Sequence, residues 1–263
     1  MSQITRTASL LLATSIALAT AAQAEAVRLE TLGSAYQQNF DTLANSAGST
    51  TNANLPTGWT ISEDGGGTRD NDLYAVDSGG NNSGDIYSYG TSGATERALG
   101  SLRSGALIPL FGVAFFNGTG ATITALDIAF TGEQWRLGKA DRSDRLIFQY
   151  STDAVSLTEG NFVDFAALDF VSPDTTDVGA RDGNAAASRT ALKSTISGLE
   201  IAANTGFWLR WVDFDASGAD DGLAIDDFSL SARGTHTVPE PGSLALASLA
   251  LLCLPSIGRS KRS

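Results

Sequence analysis

Between residues 27 and 232 the chain alternates apolar and polar side chains with a period of two. Leu126, Ile128 and Phe130 share one parity, and Asp127, Ala129 and Thr131 take the other. Leu146, Phe148 and Tyr150 alternate with Ile147, Gln149 and Ser151, and Phe207, Leu209 and Trp211 alternate with Trp208, Arg210 and Val212. This is the signature of β-strands with one or both faces buried. The same reading predicts strands over residues 36–43, 59–62, 73–76, 86–89, 107–116, 162–170 and 191–196, separated by clusters of Gly, Asn, Asp and Ser. Away from the two ends there is no helical period. About eight to twelve short strands without helices predict an all-β fold, a two-sheet antiparallel β-sandwich of jelly-roll type.

The last strand carries a phase change. Leu223 and Ile225 fall on one parity, Phe228 and Leu230 on the other, with the flip at Asp226-Asp227. One extra residue in a β-bulge produces this shift and re-aims a carboxylate. That carboxylate is either a cation ligand or an acceptor for loop amides. The Gly-, Asn- and Ser-rich stretch 64–93 could serve as an interdomain linker, but 73–76 and 86–89 still read as strands, so we expect surface loops of one domain.

The two ends differ from this body. Arg6 precedes an apolar run from 8 to 22 that closes on Ala22-Gln23-Ala24 and Ala24-Glu25-Ala26. This is the order of a secretory signal peptide, with cleavage expected after Ala24 or Ala26. At the other end, Val238, Pro239, Glu240 and Pro241 precede an apolar stretch, 242–257, followed by Arg259, Lys261 and Arg262. An easy bilayer span takes about 20 apolar residues. The stretch therefore reads as a short transmembrane helix with a cytoplasmic basic stop. The expected layout is a signal peptide at 1–26, a β-sandwich surface domain at 27–232, a linker at 233–237 and a sorting tail at 238–263.

That tail resembles the PEP-CTERM sorting signal of Gram-negative bacteria, with the motif, short hydrophobic helix and basic end in order. The resemblance implies signal peptidase and exosortase as processing partners and a transient inner-membrane intermediate. Its expected destination is the cell surface or extracellular matrix. A second resemblance rests on Gln38-Asn39-Phe40-Asp41, Leu55-Pro56-Thr57-Gly58-Trp59, residues 207–213 and the run from Asp220 to Phe228. These are similar to jelly-roll modules of secreted bacterial proteins and imply a non-catalytic surface module.

Charge and composition narrow the chemistry. The 263 residues carry 29 acidic and 17 basic side chains, a formal net charge of −12. Without Glu25 and Glu240, and without Arg6, Arg259, Lys261 and Arg262, the body keeps 27 acidic and 13 basic groups, net −14. Electrostatic binding to nucleic acid is therefore not expected. One cysteine, Cys253, and one histidine, His236, leave no disulfide framework, Cys/His zinc site or Ser-His-Asp triad.

Candidate ligand chemistry is left to carboxylates and aromatics. Asp213-Phe214-Asp215-Ala216-Ser217-Gly218 begins like an EF-hand loop, with oxygens at positions one, three and five and glycine at six, but Ala224 stands where the bidentate Glu belongs. Asp213, Asp215, Asp221 and Asp226 are the candidate Ca²⁺ ligands, with an acidic solvated turn as the alternative. Trp59, Tyr87, Tyr89 and Trp135 are candidate stacking platforms for sugar rings, with core packing as the alternative. The expected function is that of an exported structural or adhesive protein without enzymatic activity. The alternatives are a carbohydrate-binding module recognising exopolysaccharide and a carboxylate-dependent glycan hydrolase.

Overall fold

The computed structural model describes residues 25–235. Ala24, the sorting motif Val238 to Pro241, the basic residues Arg259, Lys261 and Arg262, and both expected terminal helices lie outside the described residues. Among the described residues no helix is long and apolar enough to cross a membrane.

Fifteen strands follow in order: β1 (Val27–Leu29), β2 (Ala35–Gln38), β3 (Trp59–Asp64), β4 (Tyr74–Asp77), β5 (Asp85–Tyr89), β6 (Ala98–Leu102), β7 (Ile108–Asn117) and β8 (Thr122–Leu137). Then come β9 (Arg145–Ser151), β10 (Val163–Asp164), β11 (Phe170–Val171), β12 (Gly179–Ala180), β13 (Arg189–Ile201), β14 (Gly206–Asp213) and β15 (Gly222–Thr235). They form two sheets. The first runs β1-β7-β14-β9-β10, with β3 also on β7 and β11 also on β9. The second runs β12-β8-β15-β6-β5-β4, with β13 on β8 and β2 on β15. Pairing is antiparallel except at β1–β7 and β4–β5, where short edge strands run parallel to their neighbours.

The alternation read from the sequence sets the two inner faces. From the first sheet Phe111, Val113, Phe115, Leu146, Phe148, Leu209 and Trp211 are buried, and from the second Leu126, Ile128, Phe130, Leu223, Ile225 and Phe228 join them in one core. Trp211 sits at its centre. It stacks on Phe111 at 5.6 Å and on Trp59 at 5.8 Å, and meets Phe148, Phe130 and Phe228 edge-on. Such aromatic pairs add about 0.5–1.5 kcal/mol each beyond the area they bury.

Three local expectations change. The strand expected over 36–43 ends at Gln38, with residues 39–43 in a turn. The stretch 162–170 is not one strand but β10 and β11 flanking a 3₁₀ turn at Ala166–Leu168. Its apolar residues Phe162, Phe165 and Leu168 are spaced by three, and the Asp169 carboxylate accepts the Phe148 N–H at 2.9 Å. β6 has no alternation to reveal it, because Ala98–Leu102 is buried on both faces.

The bulge is present. Asp226 pairs with Thr131 and Ser229 with Ala129, three steps on β15 against two on β8. Asp227 takes the extra position at φ 50° with its side chain exposed, so Phe228 and Leu230 return to the core.

Candidate functional site

The four aromatic candidates are core residues, which corrects the expectation of a stacking platform. Trp59, Tyr87, Tyr89 and Trp135 are exposed by only 2%, 0%, 1% and 1%. Trp59 lies edge-on to Phe40 at 4.7 Å and donates its indole N–H to the Tyr36 hydroxyl at 3.0 Å. The other three occupy a second, smaller core with Ala75, Ala98, Leu102 and Ala224. Ile86, between Tyr87 and Tyr89 on β5, belongs to the main core, so this smaller core lies on the opposite, outward face of the second sheet. The Asp182–Ser188 segment covers it. Gly183 lies so close that a Cβ there would fall 2.3 Å from the Trp135 Nε1.

The four aspartate candidates do not converge, which corrects the proposed Ca²⁺ loop. Asp213, at the end of β14, is buried and accepts the Ser101 hydroxyl at 2.8 Å. Asp215 is exposed and reaches Arg103 at 3.6 Å. Asp221 is buried, accepting the Gly138 N–H at 2.8 Å and the Gln134 amide at 3.1 Å. With Asp144 and Asp220 these groups close one end of the sandwich by tying loops together. The Asp220 carboxylate accepts the Ala216 N–H, and that of Asp144 accepts the Asp221 N–H, both at 2.9 Å. Arg142 is their cation, 3.2 Å from Asp144 and 3.5 Å from Asp221. Burial, and then the Asp144 charge, push Asp213 well above the usual carboxylate range and Asp220 to about 6. Asp221 rises to about 6 mainly through burial. The solvated-turn alternative holds for Asp215 alone; Asp213, Asp220 and Asp221 are buried and accept hydroxyl or amide hydrogens.

Asp226 belongs elsewhere. Among the described residues, Glu96, Glu133 and Asp226 are the group whose carboxylate oxygens approach within 4.8 Å of one another as a metal-sized cluster. Register explains the meeting. Glu133 on β8 lies opposite Ala224 on β15, one pleat from Asp226, and Ala224 also faces Gly100 on β6. Small residues between the acids leave room for them on the outward face. Glu133 accepts the Trp135 indole N–H at 2.9 Å, and Glu96 accepts the Asn184 amide. Burial raises Glu133 to about 7 and Asp226 to about 8, with neighbouring carboxylates adding to the rise. Glu96 and Glu133 were missed in the sequence. They stand 37 residues apart and far from Asp226, so no local motif joins them; the shared parity of Glu133 and Trp135 on a long strand was the available signal.

The other half of the same outward face is open and polar. Lys193, Ala129, Ser229 and Gln37 line up across β13, β8, β15 and β2, and Thr195, Asp127, Ser231 and Ala35 form the next row. Directly paired residues project to the same side of a sheet. Asp127 is engaged, receiving two bonds from Arg233 at 2.5 and 2.6 Å and one from Thr195 at 2.6 Å. Two shallow depressions lie along this surface. One, of about 300 Å³, is floored by Asp127, Lys193, Ser229 and Ser231; the other, of about 670 Å³, by Gln37, Asn39, Thr42 and Asp227.

No family model matches the chain, and no curated protein matches it. Solved structures do. The K1 cleaved adhesin domain of Lys-gingipain from Porphyromonas gingivalis W83 is similar at 15% identity and TM-score 0.41, over 77% of this chain and all of that one. The CBM22-1 xylan-binding domain of Xyn10C from Paenibacillus barcinonensis is similar at 11% identity and TM-score 0.37, over 79% of this chain and 99% of that one. TmCBM61, solved with β-1,4-galactotriose, is similar at 12% identity and TM-score 0.35, over 74% and 99%. The protein is a two-sheet β-sandwich of all-β class.

Proposed function

We propose that the protein is an exported, non-catalytic adhesive module that binds exopolysaccharide at the cell surface or in the extracellular matrix. The observation that carries this reading is the open polar half of the second sheet. Among the described residues, the Gln37 amide, the Ser229 and Ser231 hydroxyls and the Lys193 ammonium have no hydrogen-bond partner within the chain, yet they stand in register on a flat strand surface. A row of uncommitted donors and acceptors at strand spacing suits the repeating hydroxyls of a polysaccharide. Without an exposed ring among the described residues that line this strip, each contact is weak, and affinity comes from repetition along the polymer. Turnover is not expected on this surface. Asp127 is held by Arg233 and Asp227 lines a separate depression, whereas glycoside hydrolysis uses two carboxyl groups across one scissile bond. Export through the signal peptide, and exosortase processing at Val238 to Pro241, complete the reading.

A glycan array probed with the full chain tests the ligand class. Polysaccharide binding that falls at least fivefold in the Gln37→Ala/Ser229→Ala double variant supports the reading. Wild-type protein that binds no glycan, or that releases reducing ends from a bound one, overturns it. Removing residues 238–263 should free the protein from the envelope; unchanged attachment would refute the sorting assignment.

A further inference from the structure

We infer that Glu96, Glu133 and Asp226 form a binding site for a hard divalent cation, Ca²⁺, on the outward face of the second sheet. The inference goes beyond polymer binding and rests on different residues from the polar strip. The first observation is the convergence of three carboxylates from three separate segments, with their oxygens within 4.8 Å of one another. The second is that Asp226 is only 6% exposed, and its Oδ1, like Oε1 of Glu96, is shut away from solvent without a hydrogen-bond partner. Buried carboxylate oxygens are costly to leave unpaired, so two unpaired oxygens within a cluster of three converging carboxylates mark a missing partner.

Comparison with the other buried acids sharpens the point. Asp144 and Asp221 have Arg142, and Asp85 has Arg69 at 2.6 Å. Glu96, Glu133 and Asp226 have no ion pair among the described residues. Arg189 faces Glu133 in the β8–β13 register and Arg97 adjoins Glu96; each acts on its acid through space, but neither reaches ion-pair distance. The oxygens that are engaged are held by neutral N–H donors, Trp135 on Glu133 and Asn184 on Glu96. This is the outer-shell arrangement that orients ligands while leaving their other oxygens for a metal. The donor set is all oxygen, which selects a hard ion over zinc or copper. Three carboxylates binding through one or both oxygens, completed by water on the half-buried Glu96 side, suit the six to eight flexible ligands of Ca²⁺ better than the tight octahedron of Mg²⁺.

The indole beside Glu133 supplies a direct probe, because excitation of Trp135 would sensitise Tb³⁺ bound at the cluster. Calorimetric titration of the full chain with Ca²⁺ is expected to give one ion per chain, with Mg²⁺ at least tenfold weaker. Tb³⁺ emission should be displaced by Ca²⁺, and the melting midpoint should rise over that in EGTA. Glu133→Gln and Asp226→Asn should each weaken Ca²⁺ at least tenfold and abolish the midpoint rise. Asp215→Asn, in the loop between β14 and β15, should change none of these. In EGTA the Glu133→Gln midpoint should equal or exceed that of the wild type, which separates loss of a ligand from loss of folding. The site is disproved if the wild type takes up neither Ca²⁺, Mg²⁺ nor Tb³⁺, which would leave protons, Arg97 and Arg189 to neutralise the cluster. It is equally disproved if binding survives Glu133→Gln and disappears in Asp215→Asn. Mg²⁺ bound as tightly as Ca²⁺ would overturn the choice of ion.

Discussion

The Trp135 indole N–H points along its own strand to the Glu133 carboxylate, 2.9 Å away and two residues back on the same face of β8. Both side chains are buried, so above pH 7, where Glu133 is ionised, the bond joins a charged acceptor to a donor that has no water to fall back on. Trp135→Phe removes the donor and part of the stacking on Tyr89, whose ring lies 6.0 Å away. A hydrogen bond to a charged group is worth about 1.5–3 kcal/mol, so the unfolding free energy should fall by about that amount in urea denaturation above pH 8, where Glu133 is ionised. A loss below about 0.5 kcal/mol would show that the bond contributes little.

At the crossing of the two sheets, Gly132 on β8 makes room for Phe170. A Cβ on Gly132 would lie 2.2 Å from a carbon of that ring. Gly132→Ala must displace Phe170 from the main core, and overpacking of this kind costs about 1–3 kcal/mol. The midpoint in urea should drop while the slope of the transition stays constant.

Asp227 occupies the left-handed region at φ 50°, on the bulge that returns Phe228 to the core. Asp227→Gly should be tolerated to within about 0.5 kcal/mol, since glycine accepts that backbone freely. Asp227→Val should lose about 1–2 kcal/mol, because a β-branched residue is strained there. Equal melting temperatures for the two variants would contradict the bulge geometry.

The acidic end of the sandwich predicts a definite pH response. Asp213, Asp144, Asp220 and Asp221 are all raised above ordinary carboxylates, first by burial, with Arg142 and Arg103 opposing the rise. Between the unfolded value near 4 and the folded values, about 6 for Asp220 and Asp221, the folded chain holds more protons than the unfolded one. Stability contributed by Asp220 and Asp221 is therefore complete below pH 4 and is lost as pH rises through 6. The melting temperature of the domain should fall from pH 5 to pH 7 in calorimetry in EGTA, with the raised Asp85, Glu133 and Asp226 adding to the fall; a rise across that window would reverse the assignment.

Arg142→Gln at the same end leaves Asp144 and Asp221 without their cation. Both acids are fully buried, and removing one partner of a buried ion pair typically costs about 3–5 kcal/mol. The loss should be larger at pH 8 than at pH 5, where protonation spares the charge. A pH-independent loss would show that the guanidinium acts by packing alone.

Sequence periodicity alone determined the sandwich class, most long strands and the bulge at Asp226-Asp227, because alternation and its phase are properties of neighbouring residues. β6 and the split of 162–170 escaped it, since strands buried on both faces or short pieces around a turn lack that alternation. The candidate sites went differently. Whether Trp135 is a platform or a core residue depends on Gly183, nearly fifty residues away and folded over it, and no local pattern encodes that cover. Likewise, six aspartates close together in the chain from 213 to 227 were divided by the structure. Asp213, Asp220 and Asp221 point into the loops at one end, while Asp226 meets Glu96 and Glu133 through the strand order β6-β15-β8. Which carboxylates share a point in space is set by sheet register across long sequence separations, and only the assembled tertiary structure decides it.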